Sequence, residues 1–198
     1  MQTNEDPQEV QKIKARFRIA KKALGKLKEC MLSVASKFDT DVKSIPHKLI
    51  SHMVNILGPF HSKFTGIVGD TTTNVLQLDG DGDITKANND DIEKAFDKLG
   101  DIYKAKGEPF IDHKINTTVS GYLAKHQDMS QAEREKFKQT VRGTASSVSK
   151  SFITDSMDGY INWMSSLEQD PSRITNSKKT TVASVKNTNS GANIKLAA

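Results

Sequence analysis

Residues 10–38 read VQKIKARFRIAKKALGKLKECMLSVASKF, and apolar side chains recur through them at alternating spacings of three and four. Val10, Ile13, Phe17, Ala20, Leu24, Leu27, Met31, Val34 and Phe38 form one seam at heptad spacing, which predicts a long amphipathic helix. Such a seam must be covered, because tertiary burial of the apolar face supplies most of the stability of a protein helix. Lys14, Arg16, Lys21, Lys28 and Lys37 flank it, so a parallel homodimer would set like charges against one another across its own interface. The covering surface is therefore expected to be acidic, supplied either by this chain's own body or by another protein.

The rest of the composition fits that expectation. At 198 residues the chain can bury a real core, although 35% hydrophobic content is low for a compact globule. The net charge of +5 is spread in blocks. Residues 10–38 carry nine Lys/Arg against the single acid Glu29, residues 39–170 carry 15 basic against 20 acidic side chains, and the stretch from Pro171 onward carries five basic and no acidic ones. These shifts divide the chain into a polar arm (1–9), the basic heptad helix (10–38), a helical body (39–169) and a basic Ser/Thr/Asn-rich tail (170–198), too polar to fold without a partner. There is no apolar run of membrane-spanning length and no signal-peptide pattern in the polar start MQTNEDPQEV, so the expectation is a soluble protein, intracellular or inside an assembled particle.

Within the body, Ser44-Ile45-Pro46 reads as a helix start, and Leu49, Ile50, Met53, Val54, Ile56 and Leu57 make the helix after it apolar over most of its surface. Gly58-Pro59 is expected to end that helix, and Phe60, Phe64, Ile67 and Val68 predict a further short one. Thr71 to Leu78 is ambiguous: its β-branched run is either extended, or Asn74 to Leu78 make a poorly formed helix entering the acidic loop that follows. Asp90 to Lys106 reads as a helix, a turn is expected at Gly107-Glu108-Pro109, and Ile111, Ile115, Val119 and Tyr122 mark the next apolar face. Ser130 with Glu133 three residues on has the form of a capping box opening a long helix. A kink or break is expected at Asp158-Gly159, and Trp163, the only tryptophan, is expected to anchor a core or an interface. The sum is an all-α fold, an irregular bundle of about five to seven helices with a long N-terminal amphipathic helix and an extended C-terminal tail.

Metal chemistry is written most densely at residues 76–100, LQLDGDGDITKANNDDIEKAFDKLG. Asp79, Asp81 and Asp83 alternate with Gly80 and Gly82, and closely spaced carboxylates on a glycine-rich turn suit a hard cation such as Ca²⁺. The segment resembles the calcium loop of the EF-hand family, and more loosely the dockerin loop. The resemblance places Asp79 and Asp81 at the third and fifth loop positions, Gly82 at the sixth, where the chain turns sharply, Asp83 at the seventh, Ile84 at the eighth and Thr85 at the ninth. Gln77 stands at the first position, where the family has Asp, and three residues are inserted before the closing acid. Direct counting makes Asn88 the twelfth position, whereas alignment on the exiting helix makes it Asp91. The ligand set implied by the resemblance is thus Gln77, Asp79, Asp81, Asp83 and Asp91, holding Ca²⁺ in the 77–91 loop.

Other constellations are missing. His47, His52, His61, His113 and His126 have no cysteine or carboxylate at metal-ligand spacing. No GxxxxGK[ST], GxSxG or GxGxxG occurs. Cys30, the single cysteine, sits beside the seam, where a packed and inert thiol is expected. Asp90, Asp91 and Glu93 suit the N-terminus of a helix without any catalytic role. The expected function is accordingly non-enzymatic: a helical structural or interaction protein, a subunit or assembly factor of a larger complex such as a virus or phage particle, partnered with other protein subunits in a homo- or hetero-oligomer. A calcium-responsive module is the first alternative, with Ca²⁺ changing how the acidic body holds the basic helix. Nucleic-acid binding through the basic helix and tail is the second.

Overall fold

The computed structural model describes residues 6–174. Among them the chain is all-helical, with no strand. Four helices carry it: α1 (Pro7–Ser36), α2 (His47–Val75), α3 (Asn89–Lys125) and α4 (Gln131–Gln169), with a short 3₁₀ turn at Ile84–Lys86 between α2 and α3. Most of the tail expected to be extended, from residue 175 onward, lies outside the described residues, as do residues 1–5 of the N-terminal arm.

Four long helices replace the five to seven expected, because none of the anticipated breaks occurs. Helix α2 runs on through Pro59, and α3 through Pro109. A proline inside a helix leaves the carbonyl four residues back without its usual donor. Here those carbonyls belong to Asn55 and Ala105, both on exposed positions where water can serve them. The glycines beside the prolines are held by packing: a ring carbon of Phe152 lies 3.0 Å from where a Cβ on Gly58 would stand, and the Tyr103 ring lies 3.2 Å from the same point on Gly107. Helix α4 is continuous through Asp158-Gly159, where Met157 and Tyr160 on either side are both buried. The run after Thr71 is helical to Val75, with Thr72 Oγ1 and Thr73 Oγ1 donating to the carbonyls of Val68 and Gly69 four residues back.

Tertiary packing sorts these helices into two compact units that cut across the linear division into helix and body. Every helix contributes one part to each unit. The first unit draws on residues 6–28, 65–99 and 155–174, and its core holds Phe17 and Leu24 from α1, Ile92 and Phe96 from α3, and Met157 and Met164 from α4. Tyr160 ties α4 to α2 by donating its hydroxyl to the Thr65 carbonyl at 2.7 Å. Gly69 permits that approach, because a Cβ there would lie 2.6 Å from the Tyr160 oxygen.

The second unit draws on residues 29–64 and 100–154. Its core cluster includes Phe38, Met53, Leu57, Ile111, Ile115 and Val141. Phe60 stacks on Phe110 with ring centroids 4.4 Å apart, and Phe64 meets Tyr103 edge-on at 5.0 Å. Small polar residues of α4 are buried here too: Thr144 Oγ1 donates to the Thr140 carbonyl, and Ser149 Oγ lies 3.0 Å from Nε2 of the buried His61. Their poor helix propensity is thereby overridden by satisfied hydrogen bonds inside a packed interior. The Ser130–Glu133 capping box forms as expected, with Ser130 N donating to Glu133 Oε2 at 2.8 Å and Glu133 N to Ser130 Oγ at 3.3 Å. No helix among the described residues is long and apolar enough to cross a membrane.

Candidate functional site

The heptad seam of α1 is covered by the chain itself. From Phe17 through Ala20, Leu24, Leu27, Met31, Val34 and Phe38 every seam residue is buried, while Val10 and Ile13 near the helix start are half-buried. The acidic partners are also internal. Within the first unit Glu168 accepts from Arg18 at 2.6 Å and from Lys21 at 2.7 Å, and Asp158 accepts from Lys28 at 2.6 Å. Within the second, Glu108 accepts from Lys37 at 2.6 Å. The Glu168 carboxyl is held below its ordinary range chiefly by its hydrogen bonds from Lys21 and Arg18. Arg16 is spent differently, donating to the carbonyls of Thr85 and Ala87, both at 2.7 Å. The basic flank of α1 is thus largely committed inside the molecule.

The acidic loop folds around backbone and capping contacts. The left-handed residues are Gln77 (φ 56°) and Gly80 (φ 51°), whereas the EF-hand resemblance places the sharp turn at Gly82. Gly82 serves the loop by its size instead. A Cβ on it would run into the Gln77 carbonyl oxygen, so only glycine lets the loop close on itself there. Asp83 caps the 3₁₀ turn, its Oδ1 accepting from Thr85 N at 2.9 Å and Thr85 Oγ1 at 2.6 Å, and these bonds pull its pKa down. Asn88 caps α3 by accepting from Asp90 N at 2.8 Å, which places Asp91 in that helix's first turn. Among the described residues no three His, Cys, Asp or Glu side chains form a group that could hold a metal ion. Of the residues that the resemblance implies as ligands, Gln77, Asp79 and Asp81 lie in the turn before the 3₁₀ segment, Asp83 caps that segment and Asp91 stands in the first turn of α3.

Cys30 is partly buried in the second unit with Sγ 3.7 Å from the Gly100 carbonyl, and burial pushes its thiol pKa up against the opposing influence of Lys104. That is the environment of an inert thiol. Trp163 is half-buried in the first unit, with its indole N–H enclosed and without a hydrogen-bond partner among the described residues.

The second unit also has a feature that sequence reasoning missed. The loop after α1, the first half of α2, the second half of α3 and the start of α4 enclose an open groove of about 1690 Å³. Leu49, Ile56, Tyr122, Met129 and Phe137 give it an apolar lining. Tyr122, 38% exposed, stacks on His126 and on Phe137 at centroid distances of 3.9 and 4.1 Å, which hold its ring in place. Lys43, Lys48, Lys114, Lys125 and Lys136 also line the groove, and no ion pair among the described residues involves any of them. Three acids share the lining: Glu133 accepts from Ser130, Glu135 accepts from Gln139 and pairs with Lys138, and Asp41 stands beside them, so the lysines remain in excess. The sequence signals were the apolar helix carrying Leu49 and Ile56 and the stripe ending at Tyr122, but nothing local joins them, because the walls come from segments far apart in the chain.

No protein-family model matches the chain, and neither a curated protein nor a solved structure matches it.

Proposed function

We propose that this protein is a non-enzymatic helical interaction protein, a subunit or assembly factor of a larger complex, and that the groove of the second unit receives its partner. The observation that carries this reading is the coincidence of apolar lining and unpaired charge. Leu49, Ile56, Tyr122, Met129 and Phe137 share one groove with five lysines that are in no ion pair among the described residues, whereas Arg18, Lys21 and Lys28 of α1 and Lys37 just after it pair with acids of the same chain. Apolar surface ringed by unpaired charge is the anatomy of a docking site, where burial provides the affinity and the rim selects the partner. The size agrees. Small-molecule sites enclose roughly 300–1,000 Å³, and this groove exceeds that range.

Two experiments on the purified full-length chain test the reading. Sedimentation should show a species that enters a larger complex when the native source extract is added. Tyr122→Glu combined with Leu49→Glu should abolish that complex without changing the helical circular-dichroism spectrum. A chain that stays a monomer and retains no protein, or a complex indifferent to both substitutions, would defeat the proposal.

A further inference from the structure

We infer that the groove takes an acidic amphipathic helix of a partner protein, laid with its apolar face on Leu49, Ile56, Tyr122, Met129 and Phe137 and its carboxylates toward the lysine rim. This inference rests on the reading of the groove as a docking site and adds to it the chemistry of the occupant.

Three observations select that chemistry. Secondary structure comes first. With no strand among the described residues, the groove offers no sheet edge to which an extended peptide could add, and its walls are mostly helices, the setting in which an amphipathic helix packs its apolar face into a groove. Aromatic and methionine side chains in the lining, Tyr122, Phe137 and Met129, are the kind that adapt to the anchors of such a helix.

Charge comes second. Lysines arrive from four separate elements, Lys43 from the α1–α2 loop, Lys48 from α2, Lys114 and Lys125 from α3 and Lys136 from α4. Four of them are exposed and Lys114 is half-buried beside the Phe110 ring, 5.3 Å from its centroid. A partner with Glu or Asp beside its apolar stripe would pair with them, and one with Lys or Arg there would be repelled.

The chain's own candidates fail on the third. The stretch from Pro171 onward has five basic residues and no acid, the same sign as the rim. A second copy could offer the acidic start of α3, but its apolar residues Ile92, Phe96 and Leu99 are already buried in the first unit, so that helix has no free stripe to present. Nucleic acid would meet the rim but would leave the aliphatic lining without an apolar contact.

The test uses two synthetic helical peptides with the same leucine stripe at i, i+3, i+4 and i+7, one flanked by Glu and the other by Lys. Fluorescence anisotropy with the full-length protein should show the Glu peptide binding at least ~tenfold more tightly, a preference that shrinks as salt is raised. In Lys125→Glu with Lys136→Glu, both exposed and so harmless to the fold, the preference should reverse. Equal or tighter binding of the Lys peptide at the groove would overturn the inference while leaving the docking reading intact. Displacement of the Glu peptide by phosphatidylglycerol vesicles or by duplex DNA would also overturn it, as would a dimer in which the groove is closed by a second copy. Failure of wild-type protein to bind either peptide would sink the inference and the docking reading together.

Discussion

His61 is enclosed by Phe60 in edge contact at 5.4 Å, Phe152 stacked at 5.9 Å and Ser149 at hydrogen-bond distance. Burial lowers its pKa from 6.5 to about 4, because the imidazolium would lose its hydration. The unfolded chain therefore takes up a proton below pH 6.5 that the folded chain refuses until about pH 4, so stability falls as pH drops through that window and levels off beneath it. The full loss from this group is roughly 3–4 kcal/mol, at about 1.4 kcal/mol per pH unit of displacement. Urea unfolding at steps between pH 7 and 4 should show this slope, and His61→Gln should flatten it. Asp39 acts in the same direction but lower on the pH axis and for a different cause: hydrogen bonds from Lys150 and then Ser146 hold its pKa down, so its contribution is lost as pH falls below the ordinary carboxylate range. The two effects separate along the pH axis. Gly69 supplies a second prediction at this scale. Tyr160 is buried and anchored to Thr65, so it cannot yield to a methyl group that would stand 2.6 Å from its oxygen. Gly69→Ala should cost about 1–3 kcal/mol in chemical denaturation.

Helices show how far local rules reach. The 10–38 periodicity predicted α1 within two or three residues at each end, because a heptad seam is a property of one helix and needs no knowledge of what covers it. The same reasoning expected breaks at Pro59 and Pro109, and it erred because the cost of a proline depends on which side of the helix its lost hydrogen bond faces. Gly25 tests local propensity where packing has little say. It lies inside α1 with nothing within 4 Å of where a methyl group would stand, so Gly25→Ala should stabilise the protein by roughly 0.5–1 kcal/mol. A thermal melt distinguishes this gain from the loss expected at Gly69. Asp83 shows a local rule at its shortest range: its carboxylate has two donors on Thr85 within reach, and it caps the 3₁₀ turn with them.

For the molecule as a whole, the consequence of an internally covered seam is that α1 does not need a second chain. Leu24 is fully buried in the first unit, and Leu24→Ala should remove roughly 2–5 kcal/mol of stability. Its unfolding midpoint, like that of the wild type, should not depend on protein concentration, whereas an intermolecular coiled coil would melt at a temperature that rises with concentration. Differential scanning calorimetry over a wide concentration range decides between the two.

The amino-acid sequence alone determined the all-helical class, the α1 seam with its demand for acidic neighbours, and the Ser130 cap, since each depends on contacts a few residues apart. Only the tertiary structure decided that Glu168 and Asp158 would answer α1 and Glu108 the Lys37 just after it, that α2 and α3 would run unbroken through their prolines, and that Leu49, Tyr122 and Phe137 would share a lysine-rimmed groove. Those outcomes join residues separated by tens of positions. Which pairs meet is set by the burial of whole helical faces, and no local pattern records it.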